Sequence, residues 1–191
     1  MSYFAGLDLG QAQDYSAVIV TEQIAGTPAN YHIRMIERFA LGTPYPDVAA
    51  GVQKIVRSSE LKGKTTLICD ATGVGRPVVD DLRVRGLSPI SVLIHGGDLV
   101  TRDGGSLRVP KRDLAGIIQV LLQADRLKIA DTLPLAPTLI DELLNFRVKI
   151  DPLTAHDSYS AGREGPNDDL VLAAALSCWY PERSGRVRVW V

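Results

Sequence analysis

The chain reads as a single α/β domain built on a mixed sheet, an antiparallel meander followed by parallel strands, with helices covering its faces. Three observations lead there. Residues 3–9 (YFAGLDL), 15–21 (YSAVIVT) and 31–39 (YHIRMIERF) are apolar and β-branched runs separated by short polar turns, and short connections join antiparallel neighbours. Further on, TTLICD (65–70), RPVVDDLRVRG (76–86) and SPISVLIH (88–95) alternate strand, helix and strand, the pattern of a crossover unit whose strands pair in parallel. Finally, 191 residues with 46% hydrophobic content can bury one substantial core and are short for two.

Each element has a local reason. Between the meander and the crossover unit, Val48, Val52, Ile55 and Val56 recur at helical spacing, with Pro44 and Pro46 upstream and Asp47 able to enter the first turn. GGDLVTRDGGSLRVP (96–110) is glycine-rich and charged, and reads as a small exposed hairpin or mobile loop. The stretch 111–125 carries Leu114, Ile117, Ile118, Leu121 and Leu122 on one stripe, the most regular helical pattern of the chain. A brief LKIA strand, a helix over 135–145, a strand at FRVKI and a polar loop (151–167) follow. The last helix starts at Asp168 or Asp169 and is expected to end near Tyr180, because Pro181 lacks the N–H that continues a helix. No linker, repeat or low-complexity tract divides the chain, so residues 1–183 are expected to form one domain and 184–191 a tail, with the tail's alternating Val and Arg suited to an edge strand or a docking peptide.

A formal net charge of -1 lacks the Lys and Arg surplus usual in nucleic-acid binders, although a set of acidic catalytic groups would mask nearby cations. Arg102, Arg108, Lys111 and Arg112 do cluster within one short window. Cys69 and Cys178 sit in apolar runs without CxxC or His spacing and read as buried reduced thiols. No apolar stretch approaches the roughly 20 residues that cross a bilayer, so a cytoplasmic protein is expected.

The chemistry lies in the acids. Asp8, Asp70 and the pair Asp168 and Asp169 each fall at the end of an apolar element, where a carboxylate can reach a ligand without being buried unpaired. Hard oxygen donors from three separate elements select Mg²⁺ or Mn²⁺ over softer metals, and point to a phosphoryl-transfer enzyme, above all a nuclease. Gly6 and Gly10 flank Asp8 and would leave room for a phosphate backbone to approach it. Asp70 would lie at the carboxyl end of a parallel strand, where ligands gather in open α/β sheets. One Asp of the doublet can serve the helix dipole while the other binds metal. Asp14 reads either as a turn residue or as a support for the metal site, and Lys111 either as a surface cation or as a group that neutralises a phosphate. A nucleotide P-loop is not supported, since Ser58 stands where the first glycine before GKT is required. His32, His95 and His156 have no metal-like partners in sequence.

Four segments, D-x-G-x-x-x-D-x-S-A at 8–17, L-I-C-D-A-T-G-V-G at 67–75, V-P-K-R-D-L at 109–114 and N-D-D-L-V-L-A-A-A-L at 167–176, together resemble the ribonuclease H-like nuclease domain of phage terminase large subunits. The resemblance implies a ribonuclease H-like fold and a metal-dependent endonuclease that cuts double-stranded DNA, with little sequence specificity, during viral genome packaging. It further implies two Mg²⁺ or Mn²⁺ ions held by Asp8, Asp70, Asp168 and Asp169, with Asp8, Asp70 and Asp169 catalytic, Asp14 and Lys111 supporting, and Arg102, Arg108, Lys111 and Arg112 on DNA. Expected partners are double-stranded DNA, a packaging ATPase domain and portal or procapsid components, in the host cytoplasm, with the isolated domain a monomer. Two departures stand out: Asn167 occupies a position where the family often has His, and the family's ATPase motor is not in this chain, which reads as an excised or free-standing module. The alternatives are a Holliday-junction resolvase-like nuclease, which would share the acids, and a fragment of an actin-like or sugar-kinase ATPase, which shares D-x-G near its N-terminus but needs a second lobe.

Overall fold

The computed structural model describes residues 1–10, 14–73, 75–146 and 168–184. Their strands form one eight-stranded sheet. β1 (Ser2–Asp8), β2 (Ala17–Ile24) and β3 (Asn30–Arg38) make the expected antiparallel meander. The first helix, α1 (Tyr45–Val56), enters through Pro44 and carries Pro46 in its opening turn, where a missing N–H costs nothing. β4 (Thr65–Asp70) then pairs in parallel with β1, α2 (Gly75–Val84) crosses over, and β5 (Ile90–His95) pairs in parallel with β4. The meander and the crossover unit thus join in the run β5-β4-β1-β2-β3.

The glycine-rich segment is more integrated than its composition predicted. β6 (Thr101–Asp103) and β7 (Ser106–Pro110) form a hairpin turned by Gly104 and Gly105, both at positive φ, and β7 adds in parallel to β5. Buried Val109 joins the core on one face of β7 while Arg108 is exposed on the other, so the short strand is held by the sheet although its hairpin partner is exposed. α3 (Lys111–Gln123) follows directly, then β8 (Leu127–Ile129) beside β3, α4 (Ala136–Asn145) and α5 (Asp169–Ser184). The complete order is β6-β7-β5-β4-β1-β2-β3-β8.

The sheet separates two apolar cores. α1 and α2 cover the face of Ala5, Leu7, Val18 and Cys69, and α3, α4 and α5 cover the face of Phe4, Ile19, Ile68 and Val92. α5 is buried almost around its whole circumference from Asp169 to Trp179, so it works as a central layer and not as an amphipathic surface helix. It also runs through Pro181 to Ser184, past the expected stop. Its last turn is anchored from outside: Tyr31 Oη donates to Glu182 Oε1 at 2.9 Å, and Arg126 pairs with the same carboxylate. Such tertiary anchoring offsets the roughly 3 kcal/mol that an interior proline costs a helix. Cys69 and Cys178 are free and buried, with burial raising both thiols, Cys178 to about 12. The expected strand at FRVKI beyond Phe146, the loop 151–167 with Asn167 and His156, and the tail beyond Ser184 lie outside the described residues.

Candidate metal centre

Strand register brings the first two acids together. Leu7 is the parallel partner of Cys69, so Asp8 and Asp70 occupy successive equivalent positions at the carboxyl ends of adjacent strands and share a face. That face is the one covered by α5. A Cβ on Gly6 would lie 2.0 Å from Ala173 O and 2.8 Å from Ser177 N, so the helix backbone rests directly on β1. From Gly6 to Asp8 the strand advances about 7 Å, and from Ala173 back to Asp169 the helix retreats about 6 Å, which carries the first turn of α5 to the level of Asp8. Gly6 therefore makes room for α5, not for a phosphate backbone. Gly10 likewise packs against its own loop, where a Cβ would meet the Asp14 and Tyr15 carbonyl oxygens at 2.4 Å.

Asp8 is buried. Burial, then the charges of Asp70, Asp168 and Asp169, push its carboxyl well above the ordinary range, with the Lys111 ammonium opposing them. Asp70 is differently held. Thr72 N–H and Thr72 Oγ1 both donate to its Oδ1, at 2.8 and 2.6 Å, while Ile94 N–H donates to Thr72 Oγ1 at 2.8 Å. One oxygen of Asp70 is thus fixed by its own turn and by β5, and burial still outweighs these bonds and Lys111, so its carboxyl is also raised. Replacing Thr72 with Val is expected to weaken Mn²⁺ binding about 10-fold in calorimetry, with Thr72→Ser close to wild type; equal affinity for Thr72→Val and wild type would remove this role.

The aspartate doublet divides its work. Asp169 is the first helical residue of α5, and its side chain is 5% exposed with both oxygens taken by Arg38: Nε donates to Oδ2 at 2.8 Å and Nη2 to Oδ1 at 3.0 Å. Asp168 supplies the carbonyl that begins the helix, has a side chain 43% exposed, and accepts from Lys111 Nζ at 2.7 Å. Arg38 thus takes one acceptor site on each Asp169 oxygen, while Asp168 is the more exposed member of the pair and is bonded to Lys111. Lys111 is equally not a free surface cation: it is 18% exposed, bonded to Asp168, and within electrostatic reach of Asp8 and Asp70.

The other candidates lie apart from the carboxylates. Asp14 is exposed in the bend before β2. Arg102 is exposed on β6, Arg108 pairs with Asp103 at 3.6 Å, and Arg112 pairs with Asp98 at 2.5 Å, all on the hairpin side. His95 Nδ1 accepts the Gly97 N–H at 2.9 Å, a strand-end role. Three residues of the site escaped sequence reasoning. Thr72 had a signal in the D-x-T turn, whereas Arg38 and Glu142 had none, being a single base and a single acid on elements far apart in sequence.

Among the described residues, five carboxylates (Asp8, Asp70, Glu142, Asp168 and Asp169) thus share two cations, Arg38 and Lys111. A buried carboxylate beside others of its kind is stabilised by protonation or by a further positive charge. The donor chemistry fits a hard dication, although among the described residues no three acidic, His or Cys side chains already form a finished cage. The pH dependence follows in sign. Because Asp8 and Asp70 hold protons more tightly in the folded chain, their contribution to metal-free stability is fully present below the ordinary carboxylate range and is lost as pH rises through their elevated values. A dication favours the ionised forms, so the melting-temperature gain from Mn²⁺ is expected to be larger at about pH 8 than at about pH 5. A gain independent of pH would contradict this.

No family model matches the chain, and no curated protein matches it in sequence. Solved structures do match in shape. The large terminase nuclease from the thermophilic phage G20c superimposes with a TM-score of 0.63 at 24% identity, over 92% of this chain and 80% of that one. The chain has the fold of a large-terminase nuclease domain. The nuclease domain of the bacteriophage SPP1 large terminase, solved with bound Mn, gives 0.57 at 14% identity, over 96% of this chain and 87% of that one. Against the large terminase of bacteriophage HK97 the value is 0.59 at 14% identity, and the match spans 94% of this chain but 39% of the HK97 protein, so this terminase-nuclease fold corresponds to under half of that chain. Among the described residues no helix is long and apolar enough to cross a membrane.

Proposed function

We propose that the chain is a metal-dependent endonuclease that cuts double-stranded DNA with little sequence specificity during viral genome packaging, as the nuclease module of a large terminase. The observation that carries this reading is the convergence of the buried Asp8 with Asp70, Asp168 and Lys111 on a terminase-nuclease fold. Asp8, Asp70 and Asp168 would hold Mg²⁺ or Mn²⁺, which when bound supplies nucleophile activation and leaving-group stabilisation for phosphodiester hydrolysis. Two ions suit the number of carboxylates. The SPP1 domain was solved with Mn, which favours the same metal class here.

The chain's own groups would divide the remaining tasks. Asp70 has one oxygen held by Thr72, which leaves the other for a ligand, and the burial of Asp8 would strengthen its attraction for a cation. Lys111 screens the carboxylates from each other before metal arrives; afterwards its ammonium is positioned to pair with a phosphate oxygen of the DNA. Arg102, Arg108 and Arg112, on the exposed hairpin rim and the start of α3, would track the backbone of the duplex, a mode that carries no sequence information by itself. A packaging ATPase and portal components would be its partners in the infected host's cytoplasm.

The test is digestion of supercoiled plasmid by the purified chain. Nicking and linearisation are expected with Mn²⁺ or Mg²⁺ and none with excess EDTA. Cleavage that persists in EDTA would defeat the metal-dependent reading, and absence of cleavage with both metals would remove the assignment of the isolated chain as a nuclease.

A further inference from the structure

The first turn of α5 is closed into a buried circuit that the metal-binding reading does not use. Arg38, the last residue of β3, donates both Nε and Nη2 to Asp169, and Nη2 also bonds Glu142 Oε1 on α4. Glu142 Oε2 in turn accepts the Leu170 N–H at 3.1 Å. That N–H is one of the four that the start of a helix leaves without an intrahelical partner, and a carboxylate there also meets the positive end of the helix dipole. Tyr15 covers the guanidinium, its ring centroid 4.8 Å from Arg38 Cζ. The side chains of Arg38, Glu142 and Asp169 are 13%, 6% and 5% exposed, so the circuit is largely shut off from water.

Its position is what gives it a consequence. Asp168 and Asp169 are neighbours on a helical turn, where successive side chains diverge by about 100° and cannot both face one point. Whichever is locked on the β3 and α4 side sends the other toward β1 and β4. The planar fork of Arg38 fits Asp169 at two points, which restrains rotation of the turn as well as its distance from the sheet. Glu142 holds the adjoining backbone at a third point. A single hydrogen bond would leave the turn free to swivel; three from two different elements do not.

Resting on the metal-centre reading above, we infer that Arg38 and Glu142 are positioning residues that hold α5 in the one rotation in which Asp168, and not Asp169, is presented to the metal with Asp8 and Asp70. Neither touches the metal or DNA in this scheme. Both act through the helix.

The experiment is Mn²⁺ titration calorimetry on wild type, Arg38→Lys and Glu142→Gln, with thermal melting in EDTA and plasmid nicking on the same preparations. Lysine keeps the charge but not the fork, and glutamine keeps the shape but offers one acceptor where two are used. Each variant is expected to bind Mn²⁺ about 10-fold or more weakly, as changes behind a ligand commonly do, with nicking at limiting metal falling in parallel. A role confined to stability would instead lower the melting temperature and leave the Mn²⁺ affinity of the folded protein at the wild-type value, which would overturn the inference. Should Arg38→Lys not fold, Glu142→Gln decides alone. The two readings fail differently: wild type that binds no Mn²⁺ removes the metal centre and this inference with it, whereas wild-type binding matched by both variants removes only the inference.

Discussion

Replacing Asp70 with Asn is expected to lower Mn²⁺-dependent plasmid nicking by at least about 10³-fold, because losing a metal-holding carboxylate forfeits several kcal/mol of transition-state stabilisation at about 1.4 kcal/mol per decade. The same change is expected not to destabilise the metal-free protein. An asparagine at this position would still accept the two bonds from Thr72 through its side-chain oxygen, and it would remove a charge that burial disfavours. Activity should therefore fall without a loss of stability, a pattern that a merely structural Asp70 cannot produce, since loss of a structural acid lowers both. The measurement is nicking rate alongside thermal melting in EDTA. Near-wild-type cutting by Asp70→Asn would take this residue out of the site.

The second large effect is expected from Gly6→Ala, one methyl group on β1. The new Cβ would lie 2.0 Å from Ala173 O and 2.8 Å from Ser177 N, and both are backbone atoms that no side-chain rotation can move aside. Either α5 lifts or β1 bends, and overpacking of this kind costs about 3 kcal/mol or more. For a protein of this size that corresponds to a fall in melting temperature of roughly 6–12 °C. Nicking should fall as well, by about 10²-fold, because a displacement near 1 Å at the first turn of α5 separates Asp168 from Asp8. Thermal melting and nicking below the new transition separate the two effects. A melting temperature within a degree or so of wild type would mean that α5 does not rest on Gly6 as described.

Periodicity and turn chemistry made most of the architecture legible: the meander, the crossover unit and the helix over Lys111–Gln123 all follow from patterns within a few residues. The element ends that carry Asp8, Asp70 and the doublet were legible too, because they are the boundaries of apolar runs. What stayed hidden depended on approach between distant segments. The hairpin at 101–110 looked detached because its composition is polar, yet β7 gains its place from hydrogen bonds to β5, which composition does not encode. Pro181 looked like a helix end because local chemistry says so, and the anchoring of Glu182 by Tyr31 and Arg126 overrides it.

The amino-acid sequence by itself determined that this chain is one mixed α/β unit carrying Asp8, Asp70 and an Asp doublet at element ends, since those are properties of runs and their boundaries. Only the tertiary structure decided how the doublet divides its contacts. Asp168 and Asp169 are identical side chains one residue apart, with the same propensities and nearly the same distance to the helix dipole, and no local rule separates them. The difference arises because Arg38 and Glu142, more than a hundred residues apart in sequence, meet at one side of the helix and take Asp169, leaving Asp168 to Lys111 and the cluster. Likewise Gly6 could be read from sequence as space beside a carboxylate, but what fills the space was settled by the packing of α5.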